Sequence, residues 1–263
     1  MKSVLLKNTF NDVVDVYDKA RPTYPQELLD DVMKFANRNF FESGLEVGAG
    51  TGQATDIFLN RIKKLDIVEV GDKQVEYLNE KYSNKNISVY KAYFEDYSSK
   101  EKYDLIYSAT AFHWVDDTIG YPKAWNMLKD GGVMAVFWHM SSVTYRDYGI
   151  FVGLDKIKSK YLPNESLGFD DEGIEGVRKK RIEQIQSGKC FSSPVMKEYK
   201  WIDKYDTDRY VLLLESYSST QTLEDDDKIK YLTEAKDYIN ANGGCVELPQ
   251  HVMLYMAKRE DKK

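Results

Sequence analysis

From Leu45 the chain reads Leu-Glu-Val-Gly-Ala-Gly-Thr-Gly, a short apolar run that passes directly into Gly48, Gly50 and Gly52 and then into an amphipathic stretch from Gln53. The pattern allows a strand, a tight turn and a helix in that order. Glycine takes backbone angles that a Cβ forbids, and the helix that follows leaves its first N–H groups without partners. Such a turn lets a ligand touch main chain. The dinucleotide fingerprint Gly-x-Gly-x-x-Gly is not met, because Gln53 stands where its third glycine belongs and Gly52 comes one place early. No Gly-Lys-Ser/Thr ending sets a lysine against a triphosphate either. The spacing points to a nucleotide with little phosphate. Glu69 follows about 20 residues after the first glycine, at the end of the next strand-like run, where a carboxylate accepts bonds from both ribose hydroxyls. The alternative is that Glu69 only caps the next turn.

Around this turn, β-like runs at 45–47, 67–70, 87–90, 103–107 and 133–138 alternate with helical segments. Ala54, Ile57, Phe58 and Ile62 share a helical face, as do Val75, Leu78 and Tyr82, and Tyr121, Ala124, Trp125 and Leu128. Gly131-Gly132 is expected to close the last of these helices. The alternation predicts an α/β fold, a Rossmann-like doubly wound parallel sheet. Leu28, Leu29, Val32, Met33 and Ala36 form an earlier helix behind the proline-stiffened segment 20–25, a lid or hinge candidate. Residues 140–194 read as an insertion with helical pieces, followed by a strand at 195–202, helices at 207–215 and 225–242, and a strand at 246–256.

Composition narrows the partners. With 37 Lys+Arg against 43 Asp+Glu, a net charge of −6, no bulk field draws a phosphate backbone, so nucleic acid is not the expected partner. At 42% hydrophobic and 30% charged residues the chain is an ordinary globular one. The longest apolar run, 133–138, falls far below the ~18 residues of a membrane span, and no cleavable leader pattern opens the chain. Cys190 and Cys245 fit no zinc or disulfide framework, and the three histidines are unclustered, so no metal is expected and a reducing cytoplasm is.

Glu46-Val-Gly-Ala-Gly-Thr-Gly52, Glu69, and Tyr103-Asp-Leu-Ile-Tyr-Ser-Ala-Thr-Ala-Phe-His-Trp-Val115 resemble the class I S-adenosylmethionine-dependent methyltransferases. Phe-His-Trp-Val and Tyr17-Asp-Lys-Ala-Arg-Pro-Thr-Tyr-Pro25 are similar to the small-molecule branch with a type 11 or 25 domain, which includes trans-aconitate, ubiquinone and menaquinone methyltransferases. The resemblance implies a seven-stranded sheet whose last strand is antiparallel and inserted between strands five and six, with N-terminal lid helices and a helical insertion after strand five. It implies one domain over 1–263: a lid at 1–39, a cofactor-binding core at 40–140, a variable substrate insertion at 141–194 and the end of the sheet at 195–263. S-adenosyl-L-methionine is the implied cofactor. Gly48, Ala49, Gly50 and Gly52 would line its methionine part, with Glu46 near the amino group and Glu69 on the ribose. Val70 would be a further cofactor contact, Phe94 and Glu95 would border the adenine, Ser108 and Ala109 would meet the methionyl part, and Tyr17 and Arg21 would close over it. The family's usual acidic-Ala pair after strand three is Phe94-Glu95 here.

Methyl transfer is a displacement whose rate comes largely from alignment in a dry cavity, and a base is optional. His113, just beyond strand four, is the candidate to take a proton, the alternative being that His113 and Trp114 pack as an aromatic wedge. Trp114, Trp138, His139 and Arg146 are candidate acceptor contacts, against core packing for Trp138 and His139 and solvation for Arg146. Arg178-Lys-Lys-Arg181 reads as a wet helix face, and Glu224-Asp-Asp-Asp227 as a helix N-terminus. The expected function is methyl transfer to a small acid, phenol or other oxygen or carbon nucleophile. The competing readings are a cofactor-binding sensor or scaffold and an RNA methyltransferase.

Overall fold

The computed structural model describes residues 18, 20–140, 149–163, 173–187 and 191–260. Tyr17 and Arg146 lie outside them. In chain order the elements are α1 (Gln26–Ala36), β1 (Phe41–Val47), α2 (Gln53–Phe58), β2 (Ile62–Glu69), α3 (Asp72–Lys81), β3 (Ile87–Lys91), β4 (Tyr103–Ala109), α4 (Asp117–Met127), β5 (Leu128–His139), α5 (Ile150–Tyr161), α6 (Gly173–Gln186), β6 (Val195–Asp206), α7 (Thr207–Glu215), α8 (Asp225–Ala241) and β7 (Cys245–Lys258). Short 3₁₀ turns stand at Leu59–Arg61, Phe112–Trp114 and Thr220–Thr222.

Seven strands form one sheet in the order β3-β2-β1-β4-β5-β7-β6. The first five pair in parallel, and β7 runs antiparallel beside β5 with Val133 opposite Lys258 and His139 opposite Val252. The central strands are buried on both faces, so β4 reads as the near-continuous apolar and aromatic run Tyr103–Tyr107 rather than as an alternation. Phe58 stacks on Tyr107 at 4.3 Å, joining α2 to the sheet. The chain leaves β1 toward β2 on one side and reaches β4 on the other, so the strand order reverses between β1 and β4. The crevice outside their carboxyl ends is where an open α/β sheet binds its ligand.

Two expectations are corrected. The helix after the glycine turn ends at Phe58, and Ile62 does not share its face but opens β2, paired with Phe41. An extended β1 starting at Phe41 offers a ladder of hydrogen bonds that the helical pattern could not reveal. Gly131 does not close the preceding helix: α4 ends at Met127, and Gly131, at φ 69, lies inside β5, where the register against β4 shifts between Tyr103 and Leu105. Its positive φ serves a strand irregularity instead of a helix cap.

The described residues within Met1–Pro22, Met140–Gly168 and Lys200–His251 form one compact unit, and those within Thr23–His139, Phe169–Tyr199 and Val252–Lys263 form another. In the first, Phe151, Leu154 and Ile157 of α5 share a core with Leu213 and Leu214 of α7 and Tyr231, Ala235 and Ile239 of α8. In the second, α6 contacts α4. The segment expected as one insertion thus contributes a helix to each. The acidic run before α8 sits in its first turn, as read from the sequence.

Candidate functional site

The glycine turn begins where β1 stops. Gly48 donates to the Val68 carbonyl at 2.8 Å, and Gly52 donates back to Ala49 at 2.9 Å before starting α2. Gly48 has φ 72, and a Cβ built there lies 2.5 Å from the Ala111 Cβ, so the turn has no space for a side chain where it passes the end of β4. From behind, α3 holds it: Lys81 donates to the Thr51 carbonyl at 3.0 Å, and the Tyr82 hydroxyl donates to Asp56 at 2.7 Å while lying 3.1 Å from the Gly52 carbonyl.

Two buried carboxylates converge on this turn. Glu69 Oε2 accepts from the Gly50 N–H at 2.9 Å, and Oε1 accepts from Val70 at 2.8 Å and Gly71 at 3.1 Å. The acid therefore both caps the turn after β2 and reaches back to the glycine loop. Burial raises its pKa and the three N–H groups oppose the rise. Glu46, fully buried in β1, accepts from Thr55 at 2.6 Å and Tyr107 at 2.8 Å, both at Oε2, and Oε1 has no hydrogen-bond partner among the described residues. Loss of hydration pushes its pKa up to about 7 against the pull of those two hydroxyls. Tyr107 is itself raised well above its ordinary value by burial and by the neighbouring acid. A buried carboxylate with one oxygen satisfied twice and the other bare is a seat for a cationic group. Thr55 and Tyr107, which orient it, were not singled out from the sequence; a tyrosine inside a buried strand needs a partner for its hydroxyl, and that was the available signal.

Beyond β4 lies the other wall. The Ser108 hydroxyl donates to the Val47 carbonyl at 2.7 Å and straps β4 to β1, with Ala109 next to it. Thr110 sits at φ 51, uncommon for a β-branched residue. Its N–H donates to Phe137 at 2.7 Å, and its hydroxyl meets the Tyr24 hydroxyl at 2.9 Å and the His139 N–H at 3.2 Å. Phe112, not His113, is the packed wedge: it is buried against Phe94 and Tyr121. His113 is exposed, its ring 4.7 Å from that of Trp114, and its Nδ1 accepts from the Trp138 indole at 3.1 Å. Trp138 is 5% exposed, with the Arg181 guanidinium 4.3 Å from its ring centroid. His139 lies against Tyr24 at 4.7 Å.

Of the remaining expected contacts, Val70 is exposed beside Glu69, Phe94 is buried, and Glu95 accepts from the Asp116 N–H at 3.1 Å. Arg21 belongs to the first unit, where it donates to the Ser216 carbonyl at 3.1 Å and lies over Tyr217. The basic run in α6 is only partly the wet face expected of it: Lys179 and Lys180 are exposed, whereas Arg178 is held by Glu175 and Glu198 and Arg181 covers Trp138. Among the described residues no group of acids, histidines and cysteines is placed to hold a metal, and no helix is long and apolar enough to cross a membrane.

The comparisons with known proteins fall on the same segment. The family described as "Methyltransferase domain" matches residues 45–132. A probable S-adenosylmethionine-dependent methyltransferase of Saccharomyces cerevisiae is 28% identical over 141 residues, covering 50% of this chain and 47% of its own length. A malonyl-[acyl-carrier protein] O-methyltransferase of Ilyobacter polytropus is 34% identical over 95 residues, 35% of each chain. The chain thus spans about half or less of these two relatives. In fold it is similar to a protein of Anaeromyxobacter dehalogenans described as a type II methyltransferase, with a TM-score of 0.58 at 19% identity over 91% of this chain and 96% of that one. It is also similar to a Haemonchus contortus phosphoethanolamine N-methyltransferase solved with S-adenosylhomocysteine, with a TM-score of 0.53 at 12% identity over 94% and 57%. The match to a methyltransferase domain thus begins in the strand that carries Glu46 and ends beyond the His113 turn, and the strand order around it is that of the expected seven-stranded sheet.

Proposed function

We propose that this protein transfers the methyl group of S-adenosylmethionine to a small-molecule acceptor, an acid, phenol or other oxygen or carbon nucleophile. The observation that carries the reading is the pair of buried carboxylates on one glycine turn, Glu69 bonded to the Gly50 N–H and Glu46 with Oε1 unpartnered among the described residues. The donor set fits the cofactor: an unpartnered acceptor for an ammonium, a second carboxylate for a diol, and a glycine-rich turn between them that has no room for a side chain at Gly48. When bound, the cofactor supplies an electrophilic methyl on a sulfonium. Glu46 would hold its amino group, and Gly48, Ala49, Gly50 and Gly52 would line the methionine part with the main chain of Ser108 and Ala109. Glu69 would take the ribose on the lone pairs its three N–H donors leave, and Val70, Phe94 and Glu95 would border the adenine. Tyr17 and Arg21 would close from the lid at 1–39. His113, Trp114, Trp138, His139 and Arg146 would face the acceptor, with the 141–194 segment setting its identity. The name of the Ilyobacter relative, an O-methyltransferase of a malonyl group, supports an acid oxygen as that acceptor. We place the reaction in the cytoplasm, as the sparse cysteines suggest.

The test is incubation with cofactor labelled in its methyl group and a panel of short carboxylic acids, thioester half-acids and phenols. Label in a product supports transfer. Cofactor binding with label in no product favours the sensor, and RNA binding with steep salt dependence favours the RNA reading.

A further inference from the structure

The nitrogen of His113 that meets Trp138 is Nδ1, 3.1 Å from the indole Nε1. An indole N–H only donates, so Nδ1 must offer a lone pair, and a neutral imidazole whose lone pair is at Nδ1 carries its proton on Nε2. The indole is itself held from several sides. Trp138 lies edge-on to Tyr255 at 5.9 Å, and its face is covered by Arg181 at 4.3 Å. Arg181 donates to Gln184 Oε1 at 2.9 Å, and Gln184 Nε2 donates to Asp117 Oδ2 at 2.5 Å at the start of α4. The hydrogen bond to His113 therefore comes from a side chain with little rotational freedom, fixed by α6 and β7.

We propose that Trp138 is a positioning residue that fixes His113 in the Nε2–H tautomer, so that His113 meets the acceptor as a hydrogen-bond donor and selects a substrate presenting an anionic oxygen, a carboxylate above all. This rests on the reading that His113 faces the acceptor, and it replaces the proton-taking role expected of the residue. At Nε2 there is no lone pair to receive a proton, and at Nδ1 the imidazole would have to surrender the indole bond. A carboxylate needs neither. One of its oxygens accepts from Nε2–H while the other forms the new bond to the methyl carbon. The carbon–sulfur bond breaks with its electron pair going to sulfur, and no proton moves. A cationic amine would meet the donor unfavourably and would still have a proton to lose.

The tautomer is read without cofactor or acceptor, from long-range ¹H–¹⁵N correlation spectra of the whole chain with His113 assigned through His113→Gln. The expected spectrum has a protonated Nε2 and an unprotonated Nδ1, and Trp138→Phe moves His113 to a mixture of tautomers while the far-ultraviolet dichroism is unchanged. A protonated Nδ1 in the wild-type chain, or a folded Trp138→Phe with the same His113 tautomer, overturns the proposal. Should Trp138→Phe fail to fold, a scalar coupling across the Trp138–His113 hydrogen bond in the wild-type chain decides instead, and its absence counts against the proposal. In the labelled-methyl assay His113→Gln, which keeps an N–H donor and has no basic nitrogen, should retain transfer within about tenfold, whereas a loss of roughly 10²- to 10⁴-fold marks a general base and rejects the donor role. Because the tautomer is measured apart from transfer, a chain that transfers nothing but holds Nε2–H fails the broader reading and with it the acceptor-selecting role, and leaves Trp138 as the residue that fixes the tautomer.

Discussion

Glu46 is the residue whose chemistry depends most on its surroundings. Its pKa, pushed up to about 7 by burial, is higher folded than unfolded, so the folded state holds the proton more tightly. The stability it contributes is complete below the unfolded value near 4.5 and is lost as pH rises through about 7. Urea melts without cofactor should therefore show the protein losing on the order of 2–3 kcal/mol between pH 4.5 and 8 from this group, and Glu46→Gln should flatten that slope. If Glu46 meets the cofactor's amino group, the same substitution should weaken S-adenosylmethionine roughly tenfold or more by calorimetry, the worth of one charged hydrogen bond. Glu69→Ala removes the proposed ribose acceptor and the tie to Gly50 together, and a loss of cofactor affinity on the order of 100-fold is expected in the same titration. Glu46 stands out in the sequence because it adjoins the glycine turn, and Glu69 because it ends the next strand-like run at the spacing of a ribose acceptor. Their partners do not: Thr55 reaches Glu46 from α2, packed back over β1, and Tyr107 reaches it because β1 lies beside β4 with Glu46 opposite Tyr107.

At the scale of elements, strands were more legible than the ends of helices. Runs such as 133–138 are apolar whichever partner they find, whereas a boundary depends on what the neighbouring strand offers. Ile62 keeps helical spacing with Phe58, yet it joins β2 because Phe41 is there to pair with it. Gly131 looks like a helix stop but serves a break in the β5 register. The β1-to-α2 turn behaves as one piece, which gives a prediction at this scale. Gly48→Ala puts a Cβ at positive φ and within 2.5 Å of Ala111, so the turn must shift. The expected outcome is about 1–2 kcal/mol of lost stability by chemical denaturation, with cofactor binding lost to calorimetry even where the chain remains folded. An affinity equal to wild type would show that the turn does not hold the ligand.

For the molecule as a whole, binding and folding are linked. A ligand that occupies only the folded state at 100 times its Kd adds about 2.7 kcal/mol, so S-adenosylhomocysteine should raise the melting temperature measurably, and Glu69→Ala should abolish the rise. A melting temperature indifferent to the ligand in the wild-type chain would count against the cradle. What the sequence determined by itself was the fold class, the glycine turn and the sign of the field, because these follow from backbone freedom at glycine, the period of apolar residues and a charge sum of −6. What only the tertiary structure decided was which side chains meet across strands and helices remote in the chain. The Glu46 pocket, the Thr110 turn held by Tyr24, and the Trp138 indole on His113 with Arg181 over its face are all pairings of this kind. Local propensity carries no information about such contacts, since each exists only after two elements have packed.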